Sequence, residues 1–545
     1  MQDTVSRRPK VTGISAPFST VAARLRTESP SLTECSVATL SAGLLILSFP
    51  DFNLWPLAWI GLVPFLLLIA RRPQAWRCSL LGWVCGSVFF YGSCYWLTYS
   101  MIHFGGIPRW VAFALLMPGA LVMGIFPAIF AAMLARALRR WGAIALFMAP
   151  LLWAALEWIR LETTGQLWNA IGYSQAYHPL LIRSARWGGV YAVGFLIVLV
   201  NAALAFFLLR RSLPALGILL VPAILVVAAL MASNYPGPGR ELIPLQDAEA
   251  IVIAVQPNVP MDLVKSNDEM AELKSRHFEM SEAALRNIND GKPILLIWPE
   301  SPMNFTYGTD SPLRDTLAVF AKQHHISILL NSQEAAPDDG IYNSALLINQ
   351  EGRLVAQYDK IRLLPFGEYV PLPRWLPGAG LIRAMVGDFT PGTNYRLMPV
   401  ADLRAGVFIC IESAYPSIAR SFAQEGADVL INISNDGYLG PTAVMRQHLA
   451  NAVFRAVENH RPVVRVTNSG ITAFITPEGE VRDATQGFKP EVRTWGIARS
   501  ETSPTFYTRH GDLFVEVCAF LSLVILVLSF WKTGNEAHDA AAITG

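Results

Sequence analysis

Charged residues are scarce in this sequence. Only 15% of the 545 residues are Asp, Glu, Lys or Arg, whereas 53% are hydrophobic. A soluble domain carries about 25% charged residues, so the composition excludes an ordinary soluble protein. The net charge of +2 gives no reason to expect a nucleic-acid partner. The composition therefore indicates an integral membrane protein.

Cysteine is also scarce, with six residues and no Cys-x-x-Cys pair. This spacing indicates neither a disulfide framework nor a zinc site, and we expect no metal and no other cofactor. One cysteine, Cys410, is the only one in the hydrophilic block 240–505. The others lie in or beside apolar stretches, where a thiol usually packs as a small hydrophobic group. They are Cys35, Cys78, Cys85, Cys94 and Cys518.

Long apolar runs are abundant. The first two are separated only by residues 52–56, so they form either a tight hairpin of two spans or a partly re-entrant pair. Counting both, the sequence predicts a transmembrane bundle of seven helices over residues 36–232 and a C-terminal transmembrane helix at 512–531. Runs that can cross about 30 Å of hydrocarbon occur near residues 36–54, 56–71, 78–100, 109–135, 142–159, 188–209, 214–232 and 512–531.

Basic residues indicate how these spans are oriented. With eight spans, the Arg and Lys clusters before the first span, after the second, fourth and sixth, and after the last all lie on one side. The positive-inside rule makes that side cytoplasmic, so block 240–505 is expected on the opposite face. Residues 1–35 lack an early apolar core and are expected to form a cytoplasmic tail, not a cleaved signal peptide. The clusters contain Arg7, Arg8, Lys10, Arg24, Arg26, Arg71, Arg72, Arg77, Arg136, Arg139, Arg140, Arg210, Arg211 and Lys532.

The hydrophilic block alternates short β-branched runs with amphipathic helical segments. This alternation is typical of an α/β layered domain, in which functional residues gather at strand ends. Helices are predicted at about 268–288, 312–323, 414–425 and 441–459. Strands are predicted at 250–255, 294–298, 326–330, 344–348, 355–358, 406–411, 429–433, 463–466 and 472–475.

Three ionisable residues, Glu300, Lys360 and Cys410, stand at the ends of predicted strands. Taken singly, they have ordinary explanations: a capping carboxylate, a solvated lysine and a core cysteine. Together they fit acyl transfer, because a carboxylate can deprotonate a thiol and an ammonium can stabilise the oxyanion that forms on attack. The sequence therefore predicts Cys410 as nucleophile, Glu300 as base and Lys360 as the stabilising cation.

Other residues are candidates for supporting roles. Glu368 follows Lys360 in a loop rich in Pro and Gly, where it either orients the lysine or lies at the rim of the site. Trp168 and Tyr173 lie in a loop expected on the outer face, where they either line an entry for lipid or anchor the protein at the membrane interface.

Several longer motifs accompany these residues: Ser-Phe-Pro at 48–50, Phe-Gly-Gly-Ile-Pro at 104–108, Gly-Tyr-Ser-Gln at 172–175, Trp-Pro-Glu-Ser at 298–301, Pro-Phe-Gly-Glu-Tyr-Val-Pro at 365–371, Ser-Asn-Asp at 434–436 and Thr-Asn-Ser-Gly-Ile-Thr-Ala at 467–473. With the flanking spans, they resemble the apolipoprotein N-acyltransferase family, whose outer domain belongs to the nitrilase superfamily of carbon–nitrogen hydrolases. The resemblance implies a nitrilase-like αββα sandwich over residues 240–505. It also implies supporting roles for Glu368 and Glu412. At Lys265, Ile411 and Tyr438 the sequence departs from the common family pattern.

The resemblance further implies an activity. A fatty acyl chain would pass from a membrane phospholipid to Cys410 as a thioester, and then to the N-terminal amine of diacylglyceryl-cysteine in an apolipoprotein. The expected partners are the phospholipid donor, the diacylated acceptor and membrane lipids. We expect a monomer in the bacterial inner membrane, with the catalytic domain on the periplasmic face.

Two other functions stay open on the sequence alone. The same three residues permit a membrane-tethered amidase that hydrolyses a small amide with water as acceptor. A transporter or receptor whose outer domain only binds is the third possibility. Transport usually requires charges within the spans, and these spans are nearly free of them.

Overall fold

The computed structural model describes residues 29–212, 242–261, 265–288, 291–370, 389–500 and 503–531, with three single positions between 213 and 241. Most of the N-terminal tail predicted at 1–35 and most of the seventh span predicted at 214–232 lie outside these residues.

The first part of the chain is a helical bundle. Short 3-10 turns connect some of its helices at Trp55–Leu57, Gly142–Met148 and Ile171–Gln175. The helices are α1 (Leu32–Ser48), α2 (Ala58–Gly61), α3 (Val63–Arg71), α4 (Ala75–Ser93), α5 (Leu97–His103), α6 (Arg109–Met123), α7 (Ile125–Trp141), α8 (Ala149–Thr164) and α9 (Ala185–Arg210).

Among the described residues, three helical segments are long and apolar enough to cross a membrane: Arg109–Thr164, Ala185–Arg210 and Leu513–Phe530. The pair α4 and α5, bent by 51°, would be a fourth if it forms one broken span. The apolar segments Leu32–Ser48 and Trp55–Arg71 are shorter. A multi-helix apolar bundle is therefore present, while the number of eight spans stays a prediction.

Helices α4 and α7 pack closely because glycine lines their contact. A Cβ atom on Gly82 would lie 2.3 Å from the carbonyl oxygen of Pro127, so no larger residue fits there. Gly86, one turn further along α4, faces Gly124 and Pro127 in the same way. Small residues four apart on one helix face allow such close approach in lipid, where packing is the main attraction between helices.

The α/β domain contains two six-stranded sheets. In the first sheet the strand order is β12-β1-β2-β3-β4-β5, and in the second it is β11-β10-β9-β8-β7-β6. Strands β1, β2 and β3 are parallel, as are β7, β8 and β9, and the outer strands of each sheet add antiparallel pairs. The strands are β1 (Ala250–Gln256), β2 (Ile294–Ile297), β3 (Ile326–Ala335), β4 (Ile341–Ile348), β5 (Leu354–Asp359), β6 (Met398–Val400), β7 (Leu403–Ile409), β8 (Val429–Ser434), β9 (Val463–Thr467), β10 (Ala473–Ile475), β11 (Val481–Arg482) and β12 (Glu491–Ile497).

Helices cover the outer face of each sheet. Helices α10 (Asn267–Leu285) and α11 (Ser311–His324) pack on the first sheet around a buried core that includes Trp298 and Phe320. Helices α12 (Pro416–Gln424) and α13 (Val444–Asn459) pack on the second sheet, and the two sheets face each other. These four layers confirm the predicted α/β layered domain.

Helix α13 also joins the domain to the bundle. It packs against α9, and the ring of its Phe454 lies 4.9 Å from the ring of Tyr173. After β12, the short helix α14 (Phe506–His510) and the apolar helix α15 (Leu513–Phe530) continue the chain, and α15 packs on α8. The bundle and the second sheet therefore share one continuous buried core.

Two differences from the predicted strands concern the site and the sheet edges. The strand predicted at 406–411 ends at Ile409, because Cys410 adopts a left-handed backbone conformation that a strand cannot accommodate. Strands β6, β11 and β12 were not among the predicted ones. All three are edge strands, and two of them are only two or three residues long.

Candidate active site

Glu300, Lys360 and Cys410 lie together where the two sheets face each other. Glu300 follows β2, Lys360 directly follows β5, and Cys410 directly follows β7 of the second sheet. The Lys360 ammonium lies 3.6 Å from Glu300 Oε1. The charges of Glu300 and Lys360 both influence the pKa of the Cys410 thiol.

Lys360 is a buried cation between two carboxylates. Only 1% of the Lys360 surface is exposed, and its Nζ lies 2.8 Å from Glu368 Oε1. Burial alone lowers the pKa of Lys360, but the carboxylates of Glu368 and Glu300 outweigh it and raise that pKa above its ordinary value. Lys360 is therefore protonated throughout the physiological pH range. Backbone bonds to Asn343 and Gly392, both 2.8 Å, fix its main chain.

The two carboxylates are held by one amide. Asn343 on β4 donates from Nδ2 to Glu300 Oε1 at 2.9 Å and to Glu368 Oε1 at 2.7 Å. Its own Oδ1 accepts a hydrogen bond of 2.7 Å from Asn331. The sequence reasoning missed Asn343. Two adjacent polar residues, Asn343 and Ser344, ahead of the apolar run 345–348 were the signal that could have found it.

Glu300 and Glu368 differ in how many of their carboxylate oxygens already accept hydrogen bonds. Glu368 accepts from Lys360 and Asn343 at Oε1 and from the Leu364 backbone at Oε2, at 2.7 Å, so both oxygens are occupied. Glu300 uses only Oε1, and its Oε2 has no hydrogen-bond partner in the part of the chain that the structure describes. The oxygen able to take a proton is therefore on Glu300.

Cys410 lies in a strained turn. Its φ of +52° is in the left-handed region, and the chain continues as a 3-10 turn, Cys410–Ala414. Residues other than glycine in this region are enriched at active sites. Burial, followed by the charge of Glu300, raises the pKa of the Cys410 thiol, and Lys360 opposes the shift without cancelling it. The resting sulfur is therefore protonated, and a base must take its proton when it attacks.

Glu412 ties the nucleophile turn to the other sheet. It is fully buried, and its Oε2 accepts from the backbone N–H of Ile409 at 2.8 Å. Its Oε1 accepts from the Tyr358 hydroxyl and the Ile361 N–H at 2.8 Å and from the Arg362 N–H at 3.0 Å. One carboxylate thus bridges the end of β7 and the loop that carries Lys360.

A second polar network supports the carbonyl of Cys410. His448 on α13 bonds to this oxygen through Nε2 at 3.0 Å and to Asp436 Oδ1 through Nδ1 at 2.7 Å. Arg465 on β9 lies 2.9 Å from Asp436 Oδ2. Burial raises the pKa of Asp436, but Arg465 and His448 outweigh it and lower that pKa to about 2. The sequence reasoning quoted Asp436 in a motif but missed His448 and Arg465, whose partners are distant in sequence.

Trp168 and Tyr173 lie at the junction of bundle and domain, with 7% and 3% of their surfaces exposed. The Trp168 indole donates to Gln447 Oε1 at 2.8 Å, and the Tyr173 hydroxyl accepts from Arg455 at 3.4 Å. Both side chains therefore join the two parts of the protein. Whether they also border the path of a lipid stays a prediction.

The bundle reaches the rim of the site through α5 and the residue that follows it. Ser100 donates to the Tyr438 carbonyl at 2.7 Å, and the Phe104 ring lies 5.8 Å from the Tyr438 ring. Burial, followed by the charge of Glu300, raises the pKa of the Tyr438 phenol. The bundle thus contacts both the backbone and the ring of Tyr438.

The arrangement can perform nucleophilic acyl chemistry. A thiol, a carboxylate with a free oxygen and a permanent ammonium are the parts that such a reaction requires. Within the described ranges, no group of three or more His, Cys, Asp or Glu residues could hold a metal ion.

Comparisons with known families cover both parts of the chain. Residues 41–203 match the family model described as the apolipoprotein N-acyltransferase N-terminal domain. Residues 254–506 match the model described as carbon–nitrogen hydrolase. The two matched regions correspond to the helical bundle and to the α/β domain.

Individual relatives match over almost their whole length. A Geobacter metallireducens protein named apolipoprotein N-acyltransferase is 32% identical over 502 residues, which are 91% of this chain and 95% of that protein. A Rhizobium etli protein of the same name is 29% identical over 473 residues, 82% of this chain and 86% of that protein. Among solved structures, Saccharomyces cerevisiae Nit3 of the nitrilase superfamily aligns with 47% of this chain and 93% of its own, at 20% identity and a TM-score of 0.35.

Proposed function

Because the chain belongs to the apolipoprotein N-acyltransferase family, we propose that Cys410 carries a fatty acyl group as a thioester during lipoprotein N-acylation. The protein is an enzyme of lipoprotein maturation, an acyltransferase whose α/β domain has the nitrilase-superfamily fold. The family implies a phospholipid as donor and a lipoprotein as acceptor. A tethered amidase is not favoured, since the similarity extends through the bundle. Neither is a protein that only transports or binds.

The observation that carries the proposal is the cluster of charges facing the Cys410 thiol. Lys360 Nζ stands 3.6 Å from Glu300 and 2.8 Å from Glu368, and of these two carboxylates Glu300 alone has an oxygen without a hydrogen bond to the described part of the chain. This arrangement supports separate roles for the two acids. Glu300 moves protons, and Glu368 holds the lysine in place.

In the first half-reaction, Glu300 takes the thiol proton while the Cys410 sulfur attacks the ester carbonyl of the phospholipid. Lys360 stabilises the oxyanion of the tetrahedral intermediate, an effect worth about 3–4 kcal/mol for a single well-placed donor. The bond between the carbonyl carbon and the glycerol oxygen then breaks. Glu300 returns its proton to that oxygen, a lysophospholipid leaves, and the acyl group stays on sulfur.

In the second half-reaction, the α-amine of the diacylglyceryl-cysteine attacks the thioester. Glu300 removes a proton from the attacking nitrogen and passes it to the departing sulfur. The products are an N-acylated lipoprotein and the free Cys410 thiol. Two substrates that bind in turn around a covalent intermediate give ping-pong kinetics.

The membrane arrangement is part of the proposal. We propose seven spans within residues 36–232, the catalytic domain within 240–505 and an eighth span at 512–531. The basic clusters support this arrangement, because eight spans put all of them on the cytoplasmic side. The catalytic domain then stands on the periplasmic face of the inner membrane, where a lipid can reach it sideways.

Mass spectrometry tests the intermediate. The purified protein in detergent is incubated with a phospholipid of one defined acyl chain, and the peptide containing Cys410 is analysed. We expect the mass of that acyl group on Cys410 and its loss when a diacylated lipopeptide is added.

Cys410→Ala is the control, and it should show neither the adduct nor transfer to the lipopeptide. Transfer by Cys410→Ala would disprove the thioester. Release of free fatty acid at the same rate with and without the lipopeptide would instead indicate hydrolysis.

A further inference from the structure

The carbonyl of Cys410 is held by side chains from two other elements. His448 Nε2 lies 3.0 Å from this oxygen, and Asn432 Nδ2 on β8 lies 3.5 Å from it. The left-handed backbone of Cys410 is strained and persists only when its surroundings hold it. The peptide after the nucleophile is therefore kept in place by groups outside its own turn.

The hydrogen bonds of His448 fix the orientation of its ring. Its Nε2 faces the Cys410 carbonyl and its Nδ1 faces Asp436, which is in turn paired with Arg465. The ring is also packed 5.5 Å from that of Trp168 in the bundle. Its orientation is fixed on three sides.

The residue before it, Gln447, belongs to the catalytic domain, but the four hydrogen bonds of its side chain all go to the bundle. Its Oε1 accepts from the indoles of Trp96 and Trp168 at 3.0 and 2.8 Å. Its Nε2 donates to the carbonyls of Pro50 and Ser93 at 3.0 and 3.2 Å. Gln447 is 4% exposed, and all four bonds are buried. The start of α13 is thereby fastened to three separate bundle segments.

We propose that Gln447 and His448 are positioning residues through which the helical bundle sets the geometry of the Cys410 nucleophile. The path runs from the two tryptophans to Gln447, along one peptide to His448, and through its Nε2 to the Cys410 carbonyl. This inference rests on the proposed role of Cys410 as nucleophile. It gives the bundle a part in the chemical step in addition to admitting lipid.

Three substitutions of His448 isolate its bond to Cys410. Glutamine can place its amide near the position of Nε2 and keep the bond to the Cys410 carbonyl. Asparagine reaches only as far as Nδ1 and can keep only the bond to Asp436. Alanine makes neither of these bonds. A nucleophile displaced by about 1 Å loses about 100-fold in rate. We expect that loss in kcat for His448→Ala and His448→Asn, with KM nearly unchanged. His448→Gln should stay within about tenfold of the unsubstituted protein.

The rate at which iodoacetamide alkylates Cys410, followed on its peptide by mass spectrometry, should rank the His448 variants in the same order as kcat. This measurement needs no acyl substrate. The rate should fall in the alanine and asparagine variants, because the thiol is no longer held where Glu300 can deprotonate it. If the unsubstituted protein formed no acyl-enzyme, the proposed function would fail while this measurement still tested the positioning. His277→Gln is the matched control, since His277 is fully buried on α10, its Nδ1 bonds to the Leu273 carbonyl at 2.7 Å, and its ring packs on Trp298 outside the hydrogen bonds around Cys410.

Gln447→Ala tests the contribution of the bundle. We expect its kcat and Cys410 alkylation rate to fall by about tenfold or more, as in a partial displacement of the nucleophile. Asn201→Ala is the control, because Asn201 makes three buried hydrogen bonds of 2.9 Å entirely within the bundle.

Two results would overturn the proposal. If His448→Ala had the kcat and the alkylation rate of the His277→Gln control, His448 would not position the nucleophile. If Gln447→Ala matched Asn201→Ala while the His448 variants lost activity, the bundle would have no part in it.

Discussion

The two sheets of the α/β domain contribute different things to the site. The first sheet and its loops supply Glu300, Lys360 and Glu368, which are joined through Asn343. The second sheet supplies only the thiol of Cys410. Its supporting residues hold the backbone of the nucleophile turn. The first sheet therefore provides the charges, and the second provides the geometry.

This division explains why the thiol is protonated at rest. Burial opposes a thiolate most strongly, and the two carboxylates, only partly balanced by one ammonium, oppose it further. A base is then needed at the moment of attack and not before. Substitutions in the first sheet should change the proton transfer and the charge balance of the site. Substitutions in the second sheet should change the position of the Cys410 thiol or the stability of the fold.

The largest effect is expected at the base. Glu300→Gln keeps an oxygen for Asn343 but cannot take a proton, so kcat/KM should fall by about 100- to 10,000-fold. The rate of thioester formation in a single turnover measures this loss. Glu334→Gln is the control, because Glu334 lies on β3 and bonds to Ser332 and Gly308 outside the cluster. A Glu300→Gln protein as active as this control would exclude Glu300 as the base.

The next effect concerns the balance of charge in the first sheet. Lys360→Met leaves the buried carboxylate of Glu368 and the partly buried one of Glu300 without their cation, and an unpaired buried charge typically costs about 3–5 kcal/mol of folding free energy. We expect a lower midpoint of thermal unfolding in detergent and loss of acyl transfer. Adding Glu368→Gln should restore part of the stability and none of the activity. Unfolding midpoints of the single and double variants, compared as a cycle, measure the coupling.

Glu412 tests the connection between the sheets. All four of its hydrogen bonds come from donors, so Glu412→Gln turns an amide group toward an N–H and should cost about 1–3 kcal/mol. Because Lys360 and Cys410 are held through this bridge, kcat should fall as well. Unfolding midpoint and kcat measured on one preparation check both. A destabilised protein with full activity would show that the bridge serves folding alone.

The smallest effect is a pH dependence of stability that comes from Asp436, which follows strand β8 of the second sheet. Asp436 has its pKa lowered from 3.8 to about 2 in the folded protein. A lowered carboxyl pKa stabilises the fold above the unfolded value and loses that stabilisation as pH falls from about 4 to 2, by about 2 kcal/mol. Asp436→Asn should therefore be less stable than the unsubstituted protein at pH 6, with the difference shrinking toward pH 3. Unfolding midpoints across this range measure the slope, and a constant difference would contradict it.

Much of the α/β domain could be predicted from sequence because its central strands are continuous apolar runs. All nine predicted strands are present, because a buried strand such as β8 can be recognised from its own apolar run without knowing which strands it pairs with. The edge strands could not be found in this way. Strand β6 contains Pro399, and β12 contains Glu491 and Arg493, so neither has the apolar pattern of a buried strand.

The site could be predicted only where residue type and strand-end position coincide. Glu300, Lys360 and Cys410 meet that condition. Asn343 and His448 do not, because their importance comes from atoms that are distant in sequence, such as the Cys410 carbonyl beside His448. The left-handed backbone of Cys410 could not be predicted either, because the apolar residues on both sides of it continue the pattern of the strand.

The pairing of β12 with β1 has a consequence for biogenesis. The first and last strands of the domain are neighbours, with Ala250 opposite Ile497. A ribosome must therefore translate through residue 497 before β1 can pair on both sides, by which time all the preceding helices have been made. A chain released before residue 491 would leave the edge of β1 open to pairing with other nascent chains, so we expect such truncations to aggregate before degradation.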